Sequence, residues 1–184
     1  GIDMYQAIGI IELKSIAQGV EATDAALKSA GVQLISAHAA CPGKFEIILT
    51  GAIADVTAAV EHVTGRFDQK LIDSSIMGRI DPAVVAAMFG TQAAPKTGSL
   101  GVIETFSAAS AIKAADIAVK TAKVEIYELR TSRGMGGKGI VLIVGDVGDV
   151  TAAVEAGARH AKDQSMLAYT AVIAAPHKEL WDQI

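Results

Sequence analysis

The chain has 184 residues, a formal net charge of −4, 51% hydrophobic residues and only 4% aromatic residues, and these values exclude several classes of protein. Scattered Lys and Arg residues form no basic stretch for nucleic acid, and the low aromatic content argues against base stacking. No apolar run approaches the roughly 20 residues that a membrane-spanning helix needs. We therefore expect a soluble cytoplasmic protein with no nucleic-acid or membrane partner.

The first half of the chain predicts alternating strands and helices in a fixed order. Apolar runs predict strands over residues 5–13, 32–39, 45–50 and 71–76. Helices are predicted over residues 15–30 and 54–63, and a short terminal helix begins at Pro82. Ser15 is the expected N-cap of the first helix, with Gln18 completing a capping box, and Gly31 is its expected C-cap.

An internal repeat shows that the second half has the same organisation. The segment Gly9-Ile-Ile-Glu12 recurs as Gly101-Val-Ile-Glu104, an offset of 92, and residues 55–61 recur unchanged at 149–155, an offset of 94. The second copy begins its first strand at Leu100, and two residues enter it between its second and third strands. Its second long helix should begin with Asp146 and Asp149 as an N-cap box, and its last helix near His177.

The repeat predicts two tandem domains of one fold. The order β-α-β-β-α-β followed by a terminal helix is typical of a ferredoxin-like α/β (α+β) domain, an antiparallel sheet with helices on one face. Residues 1–3 are interpreted as preceding a natural start at Met4. We predict a first domain at residues 4–90, a linker rich in Gly and Pro at 91–98, and a second domain at 99–184.

The segment 38–44 holds the only cysteine of the chain, Cys41, between two predicted strands. Pro42 fixes its own φ and Gly43 accepts a positive φ, so this pair predicts a tight, exposed turn. One cysteine excludes an internal disulfide and a site built from several cysteines of one chain. Cys41 is therefore either a small buried hydrophobe or a presented thiol, and as a metal ligand it would need thiolates from other subunits.

Other polar residues carry weaker signals. Lys44 and its counterpart Lys138 are interpreted as solvated loop lysines, and His38 as a half-buried strand histidine that could alternatively support a metal site. Glu12 and Glu104 occupy equivalent positions because of the duplication, which explains them without a catalytic role. No catalytic motif appears, so we do not predict an enzyme.

The second loop, residues 132–138, is rich in glycine but has no thiol. It lacks the Gly-x-x-x-x-Gly-Lys-Ser/Thr spacing of a phosphate-binding loop and opens no helix. We interpret it as the counterpart of the cysteine loop, with Met135, Gly136 and Gly137 at its centre.

Several separated motifs resemble those of bacterial microcompartment shell proteins. That family's domain opens with a Gly-x-x-Glu strand, continues with an Ala-x-Asp-x-x-x-Lys-x-Ala helix, and has a Gly-Asp-Val helix start and a Pro-His-x-Glu-Leu tail. The matching residues are Gly9 and Glu12, 22–30, Gly101 and Glu104, 114–122, 145–147 and 176–180. Two such domains in one chain are similar to the tandem-domain class, in which three chains form a pseudohexameric tile.

The Cys-Pro-Gly-Lys loop resembles a type found in propanediol-utilisation compartments. This resemblance implies a homotrimer whose central pore holds a [4Fe–4S] cluster through Cys41 of three subunits, for electron transfer across the shell. It implies other shell proteins as partners, with encapsulated redox enzymes as further partners, and a place in the microcompartment. The implied pore-loop residues are Pro42, Gly43, Lys44, Met135, Gly136 and Gly137. Lys28 and Lys120 are the implied tile-edge residues.

Three alternatives stay open from the residues themselves. Three Cys41 thiolates would suit a cubane, in which the fourth iron keeps an open position, but they would also suit zinc or line an empty pore. A shell tile whose pore conducts a small metabolite, without a cluster, is the alternative function. A ligand-binding regulator with a ferredoxin-like fold is a third hypothesis of a different class.

Overall fold

The computed structural model describes residues 7–40, 43–131 and 138–184. The chain divides into two compact units. Among the described residues the first unit runs as far as Ile80, and the second contains 81–131 and 138–184. Each unit holds one four-stranded antiparallel sheet.

The first unit follows the predicted order of strands and helices. Its elements are β1 (Ala7–Leu13), α1 (Ile16–Ser29), β2 (Gln33–Ala40), β3 (Lys44–Gly51), α2 (Ile53–Arg66), a 3-10 helix (Asp68–Lys70) and β4 (Leu71–Met77). The strand order is β2-β3-β1-β4, so β1 and β3 are central and every neighbouring pair is antiparallel. This order agrees with the predicted ferredoxin-like arrangement.

The second unit repeats this arrangement and adds two short helices. Its elements are α3 (Pro82–Met88), β5 (Ser99–Thr105), α4 (Ala108–Thr121), β6 (Glu125–Arg130), β7 (Gly139–Gly145), α5 (Val147–Asp163), β8 (Leu167–Ile173) and α6 (Lys178–Trp181). The strand order is β6-β7-β5-β8, which matches the first sheet position by position. The predicted duplication is therefore confirmed in the fold.

The core of the first unit lies between its sheet and its two long helices. Apolar side chains from one face of β1 and β3 pack against the inner faces of α1 and α2. The buried members are Ala7, Ile11, Leu13, Ala22, Ala25, Ala26, Phe45, Ile47, Leu49, Val56, Ala59, Val60, Val63 and Phe67. Because side chains alternate along a strand, the intervening residues of β1 and β3 point to the opposite face.

The short helix α3 corrects the expected division of the chain. We expected it to complete a first domain ending at residue 90. It packs instead on β6 and α4, and its buried residues are Val84 and Ala87. The backbone N–H of Asp81, its N-cap, donates to Asp116 Oδ1 of α4 at 2.8 Å. The first compact unit therefore ends at Ile80, because α3 buries its apolar face within the second unit.

Two of the predicted helix caps differ in detail from the structure. Ser15 caps α1 as expected, accepting from the Gln18 N–H at 3.1 Å. The C-cap of α1 is Ala30 in extended conformation, not Gly31. Asp146 is the N-cap of α5, but its side chain makes no capping hydrogen bond. The backbone conformation that follows a helix decides which residue is its C-cap. The residue types of the last turn do not determine that conformation.

No helix within the described parts of the chain is long and apolar enough to cross a membrane.

Candidate functional site

The β2–β3 hairpin carries the loop with the single cysteine. Cys41 and Pro42 lie outside the described residues, as do Met135, Gly136 and Gly137 of the second loop. Gly43 has φ of 66°, as expected for the glycine of the Pro-Gly turn. Ala40 and Lys44 are cross-strand partners at the base of the turn, so the hairpin closes directly on either side of the loop.

The base of this hairpin is fixed by close packing of α1. The side chain of Phe45, the second residue of β3, lies where a Cβ on Gly19 of α1 would be. Phe45 is buried, and both residues belong to the interior of the first unit. Because Gly19 has no side chain, α1 can pack closely against β3, the strand that follows the cysteine loop.

Lys44 is not the solvated loop lysine that we expected. It is buried, and its Nζ lies 2.7 Å from Oε2 of Glu12, which is also buried. The prediction was wrong because Lys44 begins β3 and points to the same sheet face as Glu12 of the neighbouring strand β1. Its counterpart Lys138 lies 3.6 Å from Glu104, and that pair is partly exposed.

Glu46 adds a second buried carboxylate to this pair. Cross-strand pairing places it opposite Glu12 on one side and opposite His38 of β2 on the other. Glu12 is in turn opposite Asp73 of β4. Directly opposite residues project to the same face of a sheet. A row of four titratable side chains therefore crosses all four strands, and its two central members are buried.

Burial gives Glu46 unusual acid–base properties. Removal from water, together with the nearby Glu12 carboxylate, raises the pKa of Glu46 to about 7, although the Lys44 ammonium opposes the shift. Its Oε2 atom is buried and has no hydrogen-bond partner among the described residues. Burial and the neighbouring negative charge therefore favour the protonated form of Glu46.

The second copy does not reproduce this row. The residues equivalent to His38, Glu46 and Asp73 are Arg130, Ile140 and Tyr169, as the matching strand registers show. Only Glu104 keeps the identity of its counterpart Glu12. The buried carboxylate pair therefore belongs solely to the copy that carries the cysteine loop. Sequence analysis did not identify Glu46, although its acidic side chain interrupts the apolar run that follows the loop.

The two copies also differ in which apolar side chains they expose. The α1–β2 surface is defined here as Ile16, Val20, Leu27 and Leu34, all of which are substantially exposed. Their equivalents in the second copy are Ala108, Ile112, Val119 and Ile126. Val20 is 59% exposed whereas Ile112 is 1% exposed. The equivalent elements α4 and β6 carry α3 packed against them within the second unit.

The second copy leaves a different surface bare. The β8 surface is defined here as Tyr169 and Ile173, which project from the same face of an edge strand of the second sheet. Ile173 is 37% exposed, whereas its equivalent Met77 in the first copy is 1% exposed. Each copy therefore exposes an apolar surface that the other copy does not, and the two surfaces are made of different elements.

The two lysines assigned to tile edges have local partners. Lys28 Nζ lies 2.7 Å from Asp24 Oδ2, and both side chains are largely exposed. Lys120 Nζ lies 2.7 Å from Asp116 Oδ2, whose side chain is buried. Both pairs have the i, i+4 spacing of neighbouring residues on one helix face. Their role at a tile edge stays a prediction.

No group of three or more His, Cys, Asp or Glu residues in the described ranges could hold a metal ion. His38 lies in β2 and is partly exposed, as its sequence context suggested. A metal centre at Cys41 would therefore need ligands from other chains, or from residues outside the described ranges.

Comparison with known proteins gives a consistent result across nearly the whole chain. The family model for the BMC domain matches residues 7–80 and 99–176. The bacterial microcompartment shell protein PduT of Citrobacter freundii is 40% identical over 181 residues, covering 98% of each chain. The carboxysome assembly protein CcmO of Synechococcus sp. is 30% identical, covering 97% of this chain and 68% of that protein.

Solved structures agree with these sequence matches. A microcompartment protein from Desulfitobacterium hafniense superposes with a TM-score of 0.81 at 39% identity, covering 95% of this chain and 97% of that chain. The fused permuted hexameric shell protein MSM0275 from the RMM microcompartment superposes with a TM-score of 0.66 at 25% identity. It covers 86% of this chain and 82% of that chain.

Proposed function

The chain belongs to the BMC-domain family of bacterial microcompartment shell proteins, and on that premise we propose that three copies form one pseudohexameric tile with an iron–sulfur centre at its pore. It is a structural protein of the shell, with two BMC domains in tandem. Three chains would supply six domains, the number of units in a hexamer. One structural relative is described as a fused permuted hexameric shell protein. Other shell proteins would be its neighbours in the assembled layer.

The two uncovered apolar surfaces support the homotrimer. The α1–β2 surface of one chain and the β8 surface of another consist of different residues, so a contact between them would be heterologous. Heterologous contacts that close generate a ring with cyclic symmetry. Each full contact would bury side chains such as Val20 and Leu27, at roughly 1.5–3 kcal/mol for a fully buried aliphatic side chain.

The single observation that carries the cofactor proposal is the position of the only cysteine in the sequence, between β2 and β3 of one copy alone. A trimer then contributes three equivalent thiolates, one from Cys41 of each chain. Cysteine thiolates are the usual ligands of iron–sulfur clusters. A [4Fe–4S] cluster has four iron corners, so three thiolates would leave one for water or a small ligand. The donor set therefore fits the cluster only when three chains combine.

A cluster in this position would supply one-electron transfer. Because the tile forms part of the shell, we infer that electrons pass across the shell at this point, to or from encapsulated redox enzymes. The chain's own contribution is the loop that contains Cys41, together with the buried residues Lys44 and Phe45, which fix the strand that follows the loop. The pore-loop role of Pro42, Gly43, Lys44, Met135, Gly136 and Gly137 forms part of the same proposal.

The proposal is tested by replacing the thiol in protein that is purified without oxygen. We expect wild-type protein to contain iron and acid-labile sulfide, and Cys41→Ser to lose both while keeping the mass of a trimer. Full iron retention in Cys41→Ser would contradict the assignment. A wild-type trimer with no iron after anaerobic reconstitution would instead favour a thiol-lined pore that conducts a small metabolite.

A further inference from the structure

The buried charges behind the cysteine loop do not balance. Glu12 and Glu46 are two buried carboxyl groups, and Lys44 is the one buried ammonium group near them among the described residues. Lys44 Nζ pairs with Glu12 at 2.7 Å. Glu46 Oε2 has no hydrogen-bond partner in the described parts of the chain. Burying an ionised carboxylate with one oxygen that lacks a hydrogen bond is costly, so burial favours the protonated form of Glu46.

The position of Glu46 links this proton to the loop. Lys44 follows the turn residue Gly43 directly, and Glu46 lies two residues further along β3 on the same sheet face. Two residues of a strand span about 7 Å. Cys41 precedes Glu46 by five residues, which bounds their separation at about 18 Å even for a fully extended chain. A charge at Cys41 therefore acts on Glu46, and the burial of Glu46 limits screening by water. The second copy has Ile140 at this place and cannot respond in the same way.

We propose that Glu46 takes up a proton when an electron arrives at the Cys41 loop and releases it when the electron leaves. This inference rests on the proposed function, because it requires a redox centre at Cys41. The electron comes from an external one-electron donor, and the proton comes from water. In each molecule whose Glu46 is ionised, one O–H bond forms on its carboxylate for each electron that is accepted, so the local charge stays constant. Electron transfer through the tile is thereby coupled to proton transfer.

The physical cause is the response of a carboxyl group to added negative charge. A nearby negative charge raises the pKa of an acid, as the Glu12 carboxylate already does for Glu46. The pKa of Glu46 in the described structure is about 7, so a further rise turns ionised molecules into protonated ones near neutral pH. The other described groups that face Glu46 are Lys44 on its own strand, Glu12 on β1 and His38 on β2. Asp73 on β4 lies beyond Glu12 in the same row.

The test is the midpoint potential of the intact, cluster-loaded trimer as a function of pH, with dithionite as the electron donor. In wild type we expect the potential to fall with rising pH around neutrality, approaching 59 mV per pH unit if one proton follows each electron. Glu46→Gln mimics the protonated side chain and should abolish most of this slope. Glu61→Gln removes an exposed carboxylate of α2 and should leave the slope unchanged.

One further variant and a second measurement separate the outcomes. His38→Asn should keep the slope; if it removes the slope and Glu46→Gln does not, His38 is the proton acceptor and the proposal is overturned. A loaded wild-type protein with a pH-independent potential also overturns it. If wild type assembles no cluster, the proposed function fails and the coupling fails with it. Infrared spectroscopy of the metal-free protein is an independent check: we expect a carboxylic-acid C=O band at pH 6 that Glu46→Gln removes, and its absence counts against Glu46.

Discussion

Lys44 Nζ lies 2.7 Å from Glu12 Oε2, and the two side chains are only 4% and 0% exposed. Lys44 is the first residue of β3, directly after the loop that carries the only cysteine, and Glu12 lies on the neighbouring strand β1. Its counterpart, Lys138 and Glu104, is longer at 3.6 Å and its lysine is 44% exposed. The same pair of residue types has therefore become a buried structural contact in one copy and a partly solvated one in the other.

Replacing the buried lysine should cost far more stability than replacing its counterpart. Lys44→Met leaves Glu12 buried without its ammonium partner, which typically costs about 3–5 kcal/mol. Lys138→Met removes a partly exposed pair, which is worth about 0–1 kcal/mol. The free energy of unfolding from urea titration measures both. Equal losses of unfolding free energy in the two variants would show that the burial of Lys44 is not energetically important. The double variant Glu12→Gln with Lys44→Met should recover most of the stability that Lys44→Met loses.

Glu46 should make the stability of the protein depend on pH in the acid-to-neutral range. Its pKa is raised from 4.5 in a free side chain to about 7 in the folded protein, so the folded state binds the proton more tightly than the unfolded state. The unfolded carboxyl ionises first as pH rises, and stability therefore falls between about pH 4.5 and 7. The full effect is at most about 3–4 kcal/mol, at 1.36 kcal/mol for each pKa unit.

The variant Glu46→Gln isolates this effect. Across pH 4.5 to 7 it should lose less stability than wild type in denaturant titrations, whereas Glu61→Gln should follow wild type. A wild-type curve parallel to that of Glu46→Gln over the whole range would mean that Glu46 is ionised at neutral pH in the folded state.

The packing of α1 on the hairpin base predicts that two glycine-to-alanine substitutions change the stability of the protein in opposite directions. Alanine at an exposed helix position normally stabilises by about 0.5–1 kcal/mol relative to glycine. Gly65→Ala in α2 should do so, since nothing lies within 4 Å of its new Cβ. Gly19→Ala would overlap the Phe45 side chain and should destabilise by about 1–3 kcal/mol, the usual cost of overpacking. Thermal unfolding reports both signs; stabilisation by Gly19→Ala would rule out this contact.

A charge on the α1–β2 surface should disrupt the proposed trimer without unfolding the chain. Val20→Asp places a carboxylate among exposed apolar residues that we propose to be covered in the assembly. A loss of about 1.5 kcal/mol of binding free energy lowers the association constant of each subunit contact at least tenfold. Sedimentation velocity should show monomers at concentrations where wild type is trimeric, with an unchanged circular dichroism spectrum.

The matched control for this surface is Val147→Asp. Val147 at the start of α5 is about as exposed as its equivalent Ile53, so this position does not distinguish the two copies. An acid in the first turn of a helix is also favourable to that helix. The control should therefore stay trimeric. Dissociation of both variants, or of neither, would remove the support that the α1–β2 surface gives to the trimer.

The repeat made most of the fold predictable from the sequence. Two copies of the same motifs predicted the same element order twice, and the antiparallel sheets confirm it. The helix α3 was assigned to the wrong unit because local signals locate Pro82 as a helix start but not the surface that receives Val84 and Ala87. The 3-10 helix Asp68–Lys70 was missed because it is a three-residue connection without its own apolar period.

The candidate site was less predictable than the fold. The interpretation of Lys44 failed because its burial depends on cross-strand pairing with β1, and sequence spacing within one hairpin does not contain that information. Glu46 was missed for the same reason, since a single acid in an apolar strand is informative only once its neighbours Glu12 and His38 are known. Cys41 itself lies outside the described residues, so its part in a metal centre stays a prediction.

The most direct test of the tile and its centre is native mass spectrometry of protein purified without oxygen. The account predicts one dominant species with the mass of three chains plus one four-iron, four-sulfide cluster, which corresponds to about 1.3 iron atoms per chain. Cys41→Ser should give the bare three-chain mass. A wild-type assembly of any other chain number, or a trimer that carries no iron after anaerobic reconstitution, would contradict it.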